Sequence, residues 1–213
     1  MNYQKQIATF WEQLQGTIEL LLSSRTDDRF DAETLLKEYR DQLKEIDDNL
    51  TFHFEHDEDV DDRVDMIFGC DGFPESIPSV LSLIGAAPEL SGIRFKAFNH
   101  RYDPVPQQIN MGDEECLLKD FWCRLVEIGD SLHLEIYLED APVVLDMDPR
   151  VEAVMIFLDA LIGEYELMTR ITALDWFDLP PEPEDYGLTP LRRLRREFDA
   201  KKHQAKPLGI VLH

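Results

Sequence analysis

The first fifty residues carry apolar side chains at intervals of three and four, the spacing of one face of a helix. The segment "IATFWEQLQGTIELLLSS" shows the pattern once, and "FDAETLLKEYRDQLKEIDDNL" shows it again behind Asp31, a residue type that favours a helix start. The apolar positions of the first segment are Ile7, Phe10, Trp11, Leu14, Ile18, Leu21 and Leu22. We therefore expect a helical hairpin over residues 1–49.

After residue 50 the apolar positions alternate with polar ones, which is the period of a β-strand. "LTFHF" and "VDMIF" predict two strands, and "GIRFKAF", "FWCRLVEIGDSLHLEIYLED" and "LMTRITALDWFDL" predict the others. Helices are expected from about Pro74 to Ala87 and from about Pro149 to Tyr165, where the helical spacing returns. The order from residue 50 is thus β-β-α-β-β-β-α-β. It predicts an α+β fold whose antiparallel-rich sheet combines two split βαβ (ferredoxin-like) halves.

Residues 180–213 differ from the rest of the chain in composition. "LPPEPEDYGLTP" has the prolines of a stiff linker, and "TPLRRLRREFDAKKHQAK" predicts a basic C-terminal helix that starts at Thr189 and Pro190. The predicted organisation is a hairpin over 1–49, a body over 50–179, and this linker and helix, all in one compact domain.

The predicted C-terminal helix has an apolar stripe between basic side chains. Leu191, Leu194 and Phe198 recur at helical spacing, and Arg192 and Arg195 stand beside them. Such a stripe needs a protein groove, so we predict that the tail docks on its own chain or on a second copy. A homodimer through this helix is therefore an open alternative.

The charge of the chain indicates what kind of partner it can attract. Lys and Arg total 21 against 44 Asp and Glu, for a formal net charge of -23. This field repels nucleic acid and anionic membranes and favours a basic protein partner. No run reaches the roughly 18 uncharged apolar residues of a membrane helix, and we expect a cytoplasmic protein.

The densest acidic stretch is "FHFEHDEDVDDRVDMIFG", residues 52–69. Asp57, Asp59 and Asp61 have the alternate spacing that begins a calcium loop, but Asp62 occupies the place of the required glycine and Phe68 that of the closing glutamate. We therefore predict an exposed acidic turn between two strands, with no metal and no cofactor. The candidate partner-binding residues are Asp57, Asp59, Asp61, Asp62 and Glu164.

Four aromatic residues lie in predicted strands: Trp122, Tyr137, Trp176 and Phe177. Aromatic side chains in strands usually belong to the core, and a binding platform is the alternative. The acidic surface argues against the stacking of RNA on such a platform.

Two segments carry a family resemblance. Pro88, Leu90 and Gly92 form a P-x-L-x-G turn ahead of a predicted strand, and "IGEY" at residues 162–165 stands where "LGEY" is expected before the last strand. On these residues the chain from Val64 to Leu179 resembles a family of uncharacterised bacterial cytoplasmic proteins. The resemblance implies a shared fold and carries no catalytic residues across.

Three functions follow from these features. The first is a non-enzymatic, inhibitor- or immunity-like regulatory protein that binds a basic protein partner, favoured by the charge and by the absence of a catalytic motif. The second is a metal-assisted hydrolase that uses carboxylates near residues 57–65, His100 or Glu164. The third is a self-associating structural protein whose basic tail binds the acidic body of a neighbour.

Overall fold

A computed structural model describes residues 3–23, 32–56 and 63–203 of the chain. The described chain forms two compact units, one ending at Phe98 and the other beginning at Asn99. Among the described residues, no helix combines the length and the apolar character that are needed to cross a bilayer. Asp31, the predicted N-cap of the second helix, lies outside the described residues.

The first unit consists of three helices and a three-stranded sheet in the described residues. The elements are α1 (Tyr3–Ser23), α2 (Ala32–Ile46), β1 (Thr51–His56), β2 (Val64–Gly69), α3 (Ile77–Gly85) and β3 (Ile93–Ala97). β1 and β2 pair antiparallel, and β3 pairs parallel to β2 after the crossover through α3. The predicted helical hairpin is confirmed, and a hydrogen bond of 2.6 Å joins the hydroxyls of Thr17 in α1 and Tyr39 in α2.

Aromatic side chains hold the first unit together. Phe68 of β2 lies with its ring centroid 5.9 Å from that of Phe10 and 5.6 Å from that of Trp11, both in α1. The indole N–H of Trp11 donates to the main-chain oxygen of Leu83 in α3 over 3.0 Å. The apolar stripe predicted for α1 is thus buried against the sheet, and this burial is the main source of helix stability in a folded chain.

The second unit is built on a four-stranded sheet. Its elements are β4 (Gln108–Met111), β5 (Glu114–Leu117), β6 (Trp122–Ile128), β7 (Ser131–Leu138), α4 (Pro149–Ile162), α5 (Glu164–Arg170), β8 (Ile171–Asp178), β9 (Thr189–Pro190) and α6 (Leu194–Lys201). The strand order is β8-β7-β6-β9, and β4 and β5 form a separate hairpin. β6 and β7 are antiparallel, and β8 returns parallel to β7 after α4 and α5.

The α+β class is confirmed, but the strands of the described residues form three sheets and not the single predicted one. Each unit has its own hairpin, crossover helix and parallel strand. The units also divide the chain differently from the predicted boundaries, since α1 and α2 belong with β1–β3 and α6 belongs with the second sheet. The reason is that neither the hairpin nor the tail helix can bury its apolar stripe without a sheet or a helix to cover it.

The C-terminal helix packs into the core of its own unit. Leu191, Leu194 and Phe198 are fully buried there. The predicted start of the helix is wrong, because Thr189 and Pro190 form β9, which pairs with β6 at Trp122 and Cys123, and α6 begins only at Leu194. The predicted linker therefore ends as a strand of the sheet. In this structure a homodimer through the apolar stripe would require the stripe to leave its own unit.

Candidate protein-binding surface

The acidic turn that the sequence singles out lies outside the described residues, and with it Asp57, Asp59, Asp61 and Asp62. The strands on either side of it are the predicted ones, β1 and β2, and they pair antiparallel. Within the described ranges, no group of three or more His, Cys, Asp or Glu side chains is arranged to hold a metal ion.

Glu164 has a structural position and not the exposed one expected of a partner-binding residue. Its side chain is 4% exposed. One carboxylate oxygen accepts a hydrogen bond of 2.9 Å from the main-chain N–H of Asn99, and the N–H of Glu164 donates to the oxygen of Asn99 over 2.9 Å. Gly163, at a φ of 87°, ends α4 just before it, so the predicted helix stops short of Tyr165. Glu164 fixes this junction between α4 and α5 and offers no carboxylate to a partner.

The second unit contains an acidic cleft with a volume of about 510 Å³. It lies between β5, the start of β6, the end of β7 and the start of α4. Four exposed carboxylates border it: Glu114, Glu115, Asp120 and Glu139. Apolar side chains also form part of its wall, chiefly Phe121, Trp122, Leu138 and Leu179. A cationic side chain that entered would find both carboxylates and an apolar surface for its aliphatic stem.

The two cations beside the cleft do not balance these acids. Arg150 is held by Asp148, whose carboxylate lies 2.6 Å from its Nη2, and it donates to the main-chain oxygen of Glu139 over 2.7 Å. The hydrogen bond from Arg150 keeps the pKa of Asp148 below its usual range, so this pair stays charged and neutralises itself. Among the described residues that line the cleft, Lys119 is then the one other basic residue, against four carboxylates.

An apolar loop, residues 142–147, lies close to Glu114 and Arg150, two residues that also line the cleft. Val143 is 100% exposed, Met147 82% and Val144 55%. A smaller cavity of about 370 Å³ lies between this loop, Glu114 and Arg150. Apolar side chains this exposed and this close together mark an interaction surface more often than isolated ones do.

The sheet of the second unit carries a row of aromatic rings on its outer face, the face away from α4 and α6. Trp122, Tyr137 and Phe177 stand opposite one another on β6, β7 and β8, and the rings of Tyr137 and Phe177 stack at 5.3 Å. Glu135 and Arg124 form the neighbouring cross-strand pair on β7 and β6. The carboxylate of Glu135 accepts hydrogen bonds from the hydroxyl of Tyr137 (2.7 Å) and from the guanidinium of Arg124 (2.6 Å). Trp176, the fourth aromatic residue that the sequence places in a strand, packs against the core instead.

Cys116 lies in the cleft wall, and it is a poor nucleophile. It is buried, and burial together with the charge of Glu114 raises the pKa of its thiol. The thiol therefore stays protonated at neutral pH, whereas nucleophilic attack requires the thiolate. The cleft is better suited to recognise charge than to form a covalent bond.

The acids of the cleft were not predicted from the sequence. They come from three separate segments, residues 114–115, 120 and 139, and with 44 Asp and Glu residues in the chain no local pattern distinguishes them. For the aromatic row the sequence does carry a signal, because the alternation in β6–β8 places Trp122, Tyr137 and Phe177 on the same face.

No family model matches the chain, and no match was found among curated proteins or solved structures.

Proposed function

We propose that this protein is a non-enzymatic interaction protein, of the inhibitor or regulator type, that binds a basic protein partner. The surface that binds is the acidic cleft of the second unit together with the apolar loop beside it. Binding takes place in the cytoplasm, as expected for the bacterial proteins that residues 64–179 resemble.

The observation that carries the proposal is the arrangement of four exposed carboxylates around a cleft that shares Glu114 and Arg150 with the cavity under the exposed apolar loop. Protein interfaces typically combine an apolar centre with a polar rim. Here the apolar loop would form the apolar centre of the interface, and the carboxylates of the cleft would form its polar rim. A partner with lysines and arginines around an apolar patch is complementary to both.

Long-range charge supports the same partner. At a net charge of -23 the protein accelerates its encounter with a basic protein and slows its approach to nucleic acid. Arg150 and Asp148 already neutralise each other, so the carboxylates of the cleft are free to meet the cations of a partner.

The residues that line the cleft favour binding over catalysis. Neither histidine nor serine is among the described residues of the lining, and Cys116 is held protonated. A hydrolase that works through a covalent intermediate would need a nucleophile and a base within hydrogen-bond reach of each other. The carboxylates of the cleft are exposed around it, where a basic side chain of a partner can reach them.

Photocrosslinking from the apolar loop tests the proposal. A photoreactive phenylalanine derivative replaces Val143 in one variant and Leu20, an exposed residue of α1, in the control. In cells of the source organism we expect the first variant to crosslink one basic protein that the control does not. This crosslink should be lost when Glu114, Glu115 and Glu139 are also changed to Lys.

Three results would count against the proposal. Crosslinking only to acidic proteins would exclude charge recognition, and the same products from both positions would exclude the cleft. Crosslinking to a second copy of the chain would favour the self-associating protein instead.

A further inference from the structure

We infer that the partner contributes a β-strand with alternating basic and apolar residues, and that this strand pairs with the edge of β8. The inference rests on the proposed function, because it specifies how the basic partner binds the second unit. Addition of a strand to an exposed sheet edge is a common mode of peptide recognition.

β8 is the open edge of the four-stranded sheet. At the opposite edge the chain covers β6 with its own short strand β9, whereas β8 pairs only with β7 in the described part of the chain. The strand is eight residues long and contains no proline. The N–H of Ile171 donates to the main-chain oxygen of Leu167 at the end of α5. For the rest of the strand, no main-chain partner of the outward N–H and C=O groups is found among the described residues. These groups offer a partner strand a continuous row of donors and acceptors.

The side chains of β8 specify the pattern of the added strand. Leu174 and Trp176 point towards the core and are partly buried, while Asp175 and Phe177 lie exposed on the outer face. Residues of an added strand would alternate between these two faces. Apolar residues would extend the core beside Leu174 and Trp176, and basic residues would lie near the carboxylate of Asp175 and the ring of Phe177.

The negative charge of the chain determines which kind of strand can pair with β8. A second copy of β8 would bring two chains of net charge -23 together, with Asp175 and Asp178 on both strands. Like charges across a strand pair are destabilising, so a basic strand is favoured over self-pairing.

The edge of β8 also leads to the acidic cleft. Leu179 follows the strand directly, lines the cleft, and donates its N–H to the oxygen of Leu138 over 3.0 Å. A partner strand on β8 therefore continues at this end towards the four carboxylates. Strand pairing and charge recognition belong to one continuous surface.

A synthetic peptide tests the strand. The probe has the length of β8, alternates lysine and valine, and has blocked ends. Binding should slow the hydrogen exchange of the outward amides of Ile171–Asp178 by about tenfold or more. In a strand, alternate residues direct their main-chain groups to the same edge. Two derivatives are therefore compared, one N-methylated at the valines and one at the lysines. The derivative whose methyl groups face β8 should have an affinity at least about tenfold lower than that of the parent peptide. The derivative whose methyl groups face solvent should have an affinity within about threefold of that of the parent.

Asp175→Lys should weaken binding of the parent peptide by about tenfold, and a peptide with glutamate in place of lysine should not bind. Equal affinities of the two N-methylated peptides, together with unchanged hydrogen exchange of the β8 amides, would overturn the proposal that a strand pairs with β8. Failure of the parent peptide to bind would overturn it as well. Neither result touches the crosslink from Val143, which decides the proposed function separately.

Discussion

The guanidinium of Arg195 donates a hydrogen bond to the main-chain oxygen of Leu161 over 2.9 Å. It also donates to the oxygens of Ala160, over 2.8 Å, and of Tyr102. The last carbonyls of a helix have no partner within the helix, so Arg195 satisfies part of the end of α4. Arg101 donates to the next oxygen, that of Ile162, over 3.0 Å. The C-terminal helix is thus fastened by polar contacts as well as by its apolar stripe.

Replacing Arg195 by Ala should lower the free energy of unfolding by about 1–3 kcal/mol, because partly buried carbonyls lose their donor. The matched control is Arg192→Ala, whose side chain is exposed on the same segment, with an expected change within about 0.5 kcal/mol. Urea unfolding of both variants provides the measurement. Equal losses would show that charge, and not these hydrogen bonds, holds the segment.

Gly163→Ala should also destabilise the protein, by about 1–3 kcal/mol, because the backbone at a φ of 87° and a ψ of 138° suits only glycine. An added Cβ would lie 3.7 Å from its nearest neighbour, so steric overlap is not the cause. Gly85→Ala, at the end of α3 with open space around it, is the control and should be neutral or slightly stabilising. Thermal unfolding separates the two. An unchanged melting temperature of Gly163→Ala would contradict the claim that the backbone at this junction requires glycine.

The stability of the first unit should depend on pH through Asp65. Burial acts to raise the pKa of this carboxyl, but hydrogen bonds from Arg94 and Lys96 outweigh it and the net pKa is lowered. A lowered folded-state pKa gives stability that is full above the unfolded-state pKa and is lost as the pH falls through the folded-state value.

Unfolding free energies measured from neutral to acid pH test this assignment. The difference between the wild type and Asp65→Asn should be largest at neutral pH and should shrink at acid pH. The control is Glu89→Gln, on an exposed residue of the same unit, which should leave the profile unchanged. A difference that grows on acidification would contradict the assignment.

Local spacing was enough to predict most elements of this fold. The stripe from Ile7 to Ile18 and the alternation around Phe52 and Phe68 each reflect contacts between neighbours on one face, so α1, β1 and β2 could be read from the chain. The stripe of Leu191, Leu194 and Phe198 likewise predicted that the tail docks on protein.

Long-range pairing could not be predicted in the same way. Nothing in the sequence near Thr189 and Pro190 shows that they pair with Trp122 and Cys123, so local patterns predict a linker where the structure has the short β9. The exposed-looking Glu164 proved buried because its partner, the main chain of Asn99, lies 65 residues away. The cleft was missed for the same reason, since its carboxylates, in β5, just before β6 and just after β7, converge only when these strands are assembled.

We expect the carboxylates of the cleft, and not the overall charge, to bind the basic partner. Two triple variants separate these causes: Glu114, Glu115 and Glu139 to Lys in the cleft, and Glu12, Glu19 and Asp41 to Lys on α1 and α2. Both change the net charge by the same amount, and all six side chains are exposed. Circular dichroism first establishes that both variants are folded.

The decisive measurement is the affinity of each variant for the protein that crosslinks through Val143, at low and at physiological salt. We expect the cleft variant to bind at least about tenfold more weakly than the wild type and the control to bind within about threefold, with the difference smaller at higher salt. Equal weakening of both variants, or of neither, would contradict the account.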